Sequence, residues 1–265
     1  MDLGIAGRVA VVTGGDSGMG FSSARFLAEA GVKVLLSDRA GPDLDAAAAR
    51  LSSVGDVAAH AADLTAPSDV DALAEAAKAR FGAVHILVHA AGITGPTGDF
   101  LTLSDAQWET AIAVDLMAAV RTCRAFIPLM QQAGWGRIVL FCSEDALVPY
   151  PDELPYCACK AAVLNLSKGL SKAYARDGIL VNAVSPAFVA TPMTDAMMKK
   201  RAEETNSGFE DAVASFLKEE RPHIELRRRG EPDEVGAAVA FLCSELASFT
   251  TGTNLRVDGG SVPSV

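Results

Sequence analysis

The sequence predicts an α/β fold in which a parallel sheet carries helices on both faces, a doubly wound arrangement. Short β-branched runs alternate along the chain with amphipathic segments, and strands that alternate with helices of about ten or more residues imply a parallel sheet. The first strand breaks into a glycine-rich turn that opens a helix, a feature that doubly wound folds use to bind ligands. The 265 residues, 50% of them apolar, suffice for one such domain, and we see no second domain within residues 1–265.

Each predicted strand is a short apolar run rich in Val, Ile or Leu, and most of these runs are bounded by Gly, Asp or Ser. In order, the predicted strands are residues 9–13, 32–37, 57–61, 86–88, 137–142, 179–184 and 254–257. The intervening segments repeat apolar residues at helical spacing. They predict helices from the glycine turn to about residue 30 and over residues 44–51, 70–80, about 104–131, 156–174 and 232–246.

Charge and hydropathy exclude several classes of protein. The net charge is −10, and only the run 227–229 is strongly basic, so we expect no nucleic-acid partner. No apolar run approaches the roughly 18 residues that span a bilayer, and the N-terminus lacks a signal-peptide pattern. We therefore expect a cytoplasmic protein with no membrane partner.

The cysteines indicate a reducing compartment and no metal site. There are five, an odd number, and they lie in apolar segments, as expected for reduced cytosolic thiols. Cys157 and Cys159 are two residues apart, so on a helix their side chains diverge, and no second cysteine pair follows.

The glycine turn between the first strand and the first helix is a candidate phosphate site. Gly14, Gly18 and Gly20 would let the backbone approach a pyrophosphate, while the helix N-terminus supplies unpaired N–H groups. The spacing Gly-x-x-x-Gly-x-Gly differs from the commoner dinucleotide fingerprint, and a glycine cluster can also be only a tight turn. Asp38 ends the second strand, where a carboxylate can accept both hydroxyls of an adenosine ribose. Asp63 ends the third strand and would reach an adenine; either acid can instead cap a helix or a loop.

Tyr156, Lys160 and Ser143 form a candidate proton-transfer group. Residues four apart share a helix face, so the phenol of Tyr156 and the ammonium of Lys160 point into the same space. A nearby cation favours the phenolate and would pull the pKa of Tyr156 from about 10 toward the working pH. Ser143 ends the preceding strand and would hydrogen-bond the oxygen whose proton Tyr156 gives or takes. Tyrosine and lysine at this spacing also occur on many helices without any role.

These motifs, in this order and over essentially the whole chain, resemble the short-chain dehydrogenase/reductase family. The cofactor turn, the segment Asp63-Leu64-Thr65, the Ser143, Tyr156 and Lys160 set and the terminal Val257-Asp258-Gly259-Gly260 all have counterparts there. The resemblance implies a Rossmann-type domain with a seven-stranded sheet. It also implies cofactor contacts at Gly14, Asp16, Ser17, Gly18, Met19, Gly20, Asp38, Arg39, Asp63, Leu64, Ala90, Ala91, Gly92, Tyr156, Lys160, Pro186, Val189 and Thr191.

Three positions depart from the family pattern. His89 stands where an asparagine amide usually ties neighbouring strands, and we expect it to take over that structural role. Asp115 stands at the asparagine that, in the family, holds a water in the proton relay through the lysine. It would hold the same water and place a carboxylate near Lys160, or it is only an isosteric replacement. Ala187 replaces the glycine after Pro186, with little expected effect.

The resemblance implies hydride transfer between a nicotinamide and a carbinol carbon without a metal. Tyr156 would be the acid/base and Ser143 would steady the substrate oxygen. Lys160 would hold the phenolate and the nicotinamide ribose, and Asp115 would take part in the proton relay. Asp38 would repel a 2′-phosphate and the turn carries Asp16, so NAD is favoured as cofactor. Arg39 argues for NADP, because an arginine just past the strand can hold that phosphate.

We expect a small-molecule substrate, a secondary alcohol or its ketone, of apolar or cyclic type. Residues 188–221 correspond to the family's variable lid, and their methionines and phenylalanines would form an apolar face or simply pack the lid. Glu144 and Asp145 beside Ser143 argue against a strongly anionic substrate. The alternatives are a 3-oxoacyl-thioester reductase, an epimerase or dehydratase, and a non-catalytic dinucleotide-binding regulator. The resemblance also implies a homo-oligomer, a tetramer or a dimer.

Overall fold

The computed structural model describes residues 1–264 and contains one parallel sheet of seven strands, in the order β3-β2-β1-β4-β5-β6-β7. The strands are β1 Val9–Thr13, β2 Lys33–Ser37, β3 Val57–Ala59, β4 Ile86–His89, β5 Gly136–Phe141, β6 Ile179–Pro186 and β7 Asn254–Val257. The predicted doubly wound fold is therefore confirmed. The strand order reverses between β1 and β4, and such a reversal opens a crevice at the carboxyl ends of the strands.

The helices cover both faces of this sheet. They are α1 Gly18–Glu29, α2 Pro42–Leu51, α3 Pro67–Phe81, α4 Asp105–Ala111, α5 Ala118–Ala133, α6 Leu154–Tyr174, α7 Pro192–Thr205, α8 Phe209–Glu219 and α9 Pro232–Cys243. The last helix ends three residues before the predicted end, and Leu246 lies in a short 3-10 turn after it. Among residues 1–264, no helix is long and apolar enough to cross a membrane.

Two apolar cores, one on each face of the sheet, hold the layers together. Successive residues of β1 contribute alternately to the two cores, because successive side chains of a strand point to opposite faces of the sheet. Val11 packs with α3, α5 and α6, whereas Ala10 and Val12 pack with α1, α2 and α9. Because both faces are buried, β1 is apolar without the alternation of a half-exposed strand.

The predicted long helix over residues 104–131 is interrupted, which corrects the sequence-based expectation. Residues Ile112–Met117 form a π-helical turn between α4 and α5. A π turn inserts an extra residue into the helix and occurs often at functional sites. Asp115 lies in this turn, is 1% exposed, and accepts a hydrogen bond from the Ile93 N–H at 3.0 Å. A hydrophobic periodicity does not reveal such a turn, since the apolar pattern continues through it.

Residues 188–221, predicted as a lid, contain α7 and α8 with a small core of their own. Phe188, Met198, Val213, Phe216 and Ile224 form this core, and Phe188 packs on Phe216 with ring centroids 4.8 Å apart. The apolar residues thus pack mainly against each other. Of the methionines in the segment, Met193 is the one that faces the crevice.

Candidate active site

At the mouth of the crevice, the glycine turn after β1 packs so closely on backbone that Gly14 and Gly20 leave no room for a side chain of their own. A Cβ on Gly14, whose φ is +66°, would lie 2.6 Å from the Ala91 nitrogen, and one on Gly20 would overlap the Gly14 carbonyl oxygen. Ser17 precedes α1 without capping it through its side chain, since its hydroxyl donates to Asp16 at 2.8 Å. The first N–H groups of α1 therefore remain available for an anion, as a pyrophosphate requires.

A cavity of about 440 Å³ extends from this turn across the carboxyl ends of the strands. Its lining includes most of the residues predicted to contact a cofactor: Gly14, Asp16, Ser17, Gly18, Met19, Gly20, Asp38, Arg39, Asp63, Leu64, Ala90, Ala91, Gly92 and Thr191. A cavity with this lining, which has glycine backbone where the phosphates are expected, is suited to a dinucleotide.

Sequence reasoning missed other residues of the lining. These are Ala62, Ile93, Thr110, Val114 and Ala118; Thr65 lies in the predicted segment Asp63-Leu64-Thr65, and Pro192 and Met193 directly follow the predicted Thr191. Thr110, Val114 and Ala118 are four apart, so their shared helix face was readable from the sequence. Which face would point at the cavity was not, because that depends on how the helix packs.

The carboxylates of Asp16 and Asp38 lie near each other where the adenosine ribose is expected. Burial raises the pKa of Asp38, and the nearby Asp16 charge raises it further. Asp38 accepts the Arg39 N–H at 2.8 Å, while the Arg39 side chain is exposed. Asp63 accepts bonds from the Thr65 hydroxyl at 2.7 Å and N–H at 2.9 Å, which lower its pKa. Asp63 thus caps its turn while lining the cavity.

Four of the residues predicted to touch the cofactor lie outside this lining, namely Tyr156, Lys160, Pro186 and Val189. Pro186 ends β6 and pairs with Val257 in β7. Val189 bridges to Gly230 and lines a separate cavity of about 180 Å³. Thr191 caps α7 and lies close to Gly18, where an added Cβ would be 3.2 Å from its methyl group.

The structure brings Ser143, Tyr156 and Lys160 together. Ser143 follows β5 at the edge where the strands end, and Tyr156 and Lys160 lie in the first turns of α6. The Lys160 Nζ is 5.2 Å from the centroid of the Tyr156 ring and donates to the Phe141 carbonyl at 3.3 Å. Gly92, which lines the cofactor cavity, touches this group, since a Cβ there would lie 3.3 Å from the Lys160 Nζ.

Asp115 reaches the same group from the π turn. Its Oδ1 lies 3.7 Å from the Lys160 Nζ, an ionic contact that is longer than a hydrogen bond. Its Oδ2 is buried and has no hydrogen-bond partner among residues 1–264. Burial raises the pKa of Asp115, whereas Lys160 and the Ile93 N–H lower it. The carboxylate therefore stands beside the lysine, as the sequence led us to expect.

The pKa of Tyr156 moves in the opposite direction from the one that we expected. Burial raises it well above the ordinary value, and the charges of Asp145, Asp115 and Glu153 raise it further, while the Ser143 hydroxyl lowers it. The expectation of a lowered pKa is wrong for the protein alone, since it counted one cation on the helix and no carboxylates from elsewhere. Burial favours the neutral phenol because a buried phenolate loses its hydration.

His89 joins strands and helices beneath the site. Its Nδ1 lies 3.0 Å from the Thr13 hydroxyl on β1 and 3.3 Å from the Thr122 hydroxyl on α5. Burial lowers the pKa of His89 to about 3, and the charge of Lys160 acts in the same direction. A neutral imidazole thus links β4 to β1, which is consistent with the structural role expected for it.

A buried group of charges lies on the other side of Ser143. Asp145 accepts the Ser143 hydroxyl at 2.7 Å. Arg221, which follows α8, donates to Glu153 at 3.0 Å, lies 3.8 Å from Glu144, and stacks on the Tyr150 ring with its Cζ 3.5 Å from the centroid. Burial raises the pKa values of Glu144 and Glu153, each to about 7. Sequence reasoning did not find Arg221, because its partners lie 68 or more positions away.

Comparisons with known proteins agree with this geometry. A family model described as Enoyl-(Acyl carrier protein) reductase matches residues 14–261. Among curated proteins, 4-formylbenzenesulfonate dehydrogenase TsaC1/TsaC2 of Comamonas testosteroni is 37% identical over 96% of this chain and 97% of its own length. Cis-4-hydroxycyclohexanecarboxylate dehydrogenase of Sinomonas cyclohexanicum is 36% identical over 98% of each chain.

A solved structure of L-sorbose reductase from Gluconobacter frateurii, complexed with NADPH and L-sorbose, matches with a TM-score of 0.95. It is 32% identical, and the match covers 100% of both chains. The relatives are named as dehydrogenases or reductases of alcohol and carbonyl groups. The matched residues include both the glycine turn and the group of Ser143, Tyr156 and Lys160. This protein is therefore an NAD(P)-dependent oxidoreductase that acts on alcohol and ketone groups, and it belongs to the short-chain dehydrogenase/reductase family.

Proposed function

We propose that this enzyme interconverts an uncharged secondary alcohol, apolar or cyclic, and its ketone, with NAD as cofactor and Tyr156 as the acid/base. The observation that carries the proposal is the meeting of Ser143, Tyr156 and Lys160 beside the cofactor cavity: Gly92, which lines that cavity, lies so close to the group that an added Cβ would be 3.3 Å from the Lys160 Nζ. The non-catalytic regulator loses support from the same observation, since a regulator would not need this group.

The bound nicotinamide supplies the hydride acceptor or donor, and the chain supplies orientation and proton transfer. In oxidation, the Tyr156 oxygen takes the hydroxyl proton of the substrate. Ser143 holds the substrate oxygen, and the Lys160 ammonium stabilises the phenolate. Asp115 would hold the relay water with its second carboxylate oxygen, which is buried and has no hydrogen-bond partner among residues 1–264.

The preference for NAD is supported by the carboxylates at the ribose end of the cavity. The charge of Asp16 already disfavours the ionised form of Asp38. A further negative charge beside them, such as that of a 2′-phosphate, would therefore be repelled. The NADPH found in the L-sorbose reductase structure belongs to a different chain. Arg39 is the residue that would accommodate that phosphate if the preference were reversed.

The cyclic type of the proposed substrate is supported by the relative that is named for a hydroxycyclohexanecarboxylate, whereas its lack of charge is inferred from the side chains around Ser143 alone. Two relatives are named for anionic substrates, a sulfonate and a carboxylate. In this chain the surroundings of Ser143 carry Glu144, Asp145 and Glu153, and the guanidinium of Arg221 is already paired. An anionic group near the reacting carbon would therefore be repelled, whereas a cyclic neutral alcohol would not.

A 3-oxoacyl-thioester reductase is the second candidate, because the description of the matching family model, Enoyl-(Acyl carrier protein) reductase, names an enzyme of carrier-bound acyl chains, although for the enoyl and not the 3-oxo group. The homo-oligomer and the cytoplasmic location stay predictions, as does the lid role of residues 188–221.

The test is a screen of neutral cyclic and linear alcohols and ketones, their carboxylate analogues and a 3-oxoacyl thioester, each with NAD(H) and NADP(H). We expect turnover of neutral substrates with NAD(H). Tyr156→Phe should lose more than about 99% of turnover, because general acid–base catalysis contributes at least about a hundredfold, yet bind NADH as the wild type does. Turnover of the Phe variant above a few per cent, or a wild type selective for the thioester, would overturn the assignment.

A further inference from the structure

One guanidinium, that of Arg221, contacts both chain segments that carry the catalytic hydroxyls. Arg221 follows α8 and is 8% exposed. Its Nη2 donates to Glu153 Oε1 at 3.0 Å, and its Nε lies 3.8 Å from Glu144 Oε1. Glu144 directly follows Ser143, and Glu153 lies three residues before Tyr156. A residue that is distant in sequence thus joins the two segments between which the substrate oxygen would lie.

The Tyr150 ring lies against the same guanidinium. The Arg221 Cζ is 3.5 Å from the centroid of this ring, a distance at which a planar guanidinium stacks on an aromatic face. Tyr150 belongs to residues 144–153, the stretch that connects the two segments. Stacking holds the plane of the guanidinium, and because its N–H donors lie in that plane, the ring also fixes where they point. The ring and the two carboxylates therefore support one geometry.

On its other side, Arg221 is anchored in the small core of α7 and α8. Its backbone N–H donates to the Phe216 carbonyl at 3.1 Å, and its Cζ lies 5.0 Å from the centroid of the Phe216 ring. Phe216 in turn packs on Phe188, with ring centroids 4.8 Å apart. A displacement of α8 would therefore move the guanidinium and, through it, residues 144–153.

We propose that Arg221 is a positioning residue for the reaction, which joins α8 to residues 144–153 and so fixes the spacing between the segment of Ser143 and the helix of Tyr156. The inference rests on the proposed function of these two residues, and it adds the residue that holds their segments together. Arg221 acts through its neighbours and not by touching the cofactor or the substrate. A misplacement of about 1 Å can lower a rate about a hundredfold, so such a contact matters to the chemistry.

The experiment compares Arg221→Lys with Arg201→Lys. Arg201 is the matched control, because its contacts join α7 to α8 alone: it donates to Ser215 at 3.1 Å, pairs with Glu219, and lies 5.6 Å from the same Phe216 ring. Lysine keeps the charge in both variants, but its ammonium is a point charge that neither stacks on a ring nor bridges two carboxylates in fixed directions. The two variants thus loosen different parts of the chain.

Alcohol oxidation should be measured in a buffer alkaline enough to ionise both carboxylates, at a temperature well below the unfolding midpoints. Arg221→Lys should lower kcat roughly tenfold, the size expected for a lost hydrogen bond to a charged group. Its KM values for NAD and for the alcohol should stay within about twofold, because the cofactor cavity is unchanged. Arg201→Lys should keep kcat within about twofold of the wild type.

Amide hydrogen exchange tests the contact without turnover. Arg221→Lys should speed exchange in residues 144–153 and in the first turn of α6, whereas Arg201→Lys should speed it in α7 and α8 only. Glu153→Gln keeps the shape of the partner but not its charge, so it should reproduce part of the loss in kcat. In that background Arg221→Lys should lower kcat less than it does in the wild type, because the contact is already weakened.

Equal kcat values for the two lysine variants, or equal losses from Arg221→Lys in both Glu153 backgrounds, would show that Arg221 only supports the fold. Faster exchange in residues 144–153 with an unchanged kcat would show the same. Should Arg221→Lys not fold, Glu153→Gln decides, by a loss of kcat at a retained unfolding midpoint. A wild type without turnover on any alcohol or ketone would remove the proposed function and this role with it, whereas a wild type that turns over while the lysine variants behave alike would remove this role alone.

Discussion

The cofactor end and the catalytic end of the crevice are built in different ways. The cofactor end has the tightly packed backbone of the glycine turn on one side, and short stretches from several parts of the chain complete its cavity of about 440 Å³. At the catalytic end, the hydroxyls of Ser143 and Tyr156 lie among buried charged side chains that come from four separate segments of the chain, namely Asp115, Asp145, Lys160 and Arg221. Cofactor binding at the glycine turn is therefore set by shape, whereas proton transfer at the catalytic end is set by a balance of charges.

The difference predicts how each end responds to substitution. At the cofactor end, an added methyl group meets rigid backbone, so the response should be steric and large. At the catalytic end, substitutions that keep shape but change charge should preserve binding and alter the pH dependence. We expect the largest effect from a substitution at Gly20, a smaller one at Asp115 and the smallest at Asp38.

Gly20→Ala should have the largest effect. The new Cβ would overlap the Gly14 carbonyl oxygen, which cannot move without displacing the glycine turn. We expect a loss of about 3 kcal/mol of unfolding free energy, at the upper end for overpacking, and a loss of NADH affinity. Urea unfolding and NADH titration measure the two effects.

Gly169→Ala is the control for that change. Gly169 lies in α6, is exposed, and an added Cβ would meet nothing within 4 Å. The same substitution should there stabilise the protein by up to about 1 kcal/mol through helix propensity and leave NADH binding unchanged. Similar behaviour of the two variants would contradict the steric description of the cofactor end.

Asp115 tests the catalytic end, and two substitutions separate its shape from its charge. Asp115→Leu cannot hold a relay water and should lose most of the turnover, about tenfold or more. Asp115→Asn should stay active, because its amide oxygen is a similar acceptor. Since the carboxylate raises the pKa of Tyr156, its removal lowers that pKa, and the phenolate needed for oxidation forms at lower pH. The rising limb of the oxidation profile should therefore move toward acid.

An unchanged profile in the Asn variant, together with full activity in the Leu variant, would place Asp115 outside the proton relay. Both variants should bind NADH as the wild type does, which distinguishes a defect in chemistry from one in the cofactor cavity.

Asp38→Ala should have the smallest effect. It removes an acceptor for the ribose hydroxyls, which costs about 1.5 kcal/mol, roughly tenfold in NADH affinity, and it removes a charge that repels a 2′-phosphate. The ratio of NADH to NADPH affinity should narrow. A wild type that already prefers NADPH would mean that Arg39 and not Asp38 governs the pocket.

Much of the fold was readable from local sequence patterns. The alternating strands and helices, the seven-stranded sheet and the placing of the glycine turn after β1 were predicted and are confirmed. The π turn at Ile112–Met117 was not, because the apolar pattern of the helix runs through it unchanged. For the apolar residues of 188–221, the sequence left open whether they face the substrate or pack within the segment. Only the three-dimensional contacts, which form a separate core of α7 and α8, show that they pack against each other.

The sequence by itself indicated that Ser143, Tyr156, Lys160 and the glycine turn lie at one edge of the sheet, since each follows from the position of a strand end or a helix face, but it did not reveal Arg221 or the helix face that lines the cofactor cavity. Only the tertiary structure decided their electrostatics. The sequence showed one cation beside Tyr156 and predicted a lowered pKa, whereas burial and the carboxylates of Asp115, Asp145 and Glu153 raise it. The physical reason is range: helix and turn patterns depend on neighbours a few residues away, but burial and charge depend on every segment that packs around a group, however distant along the chain.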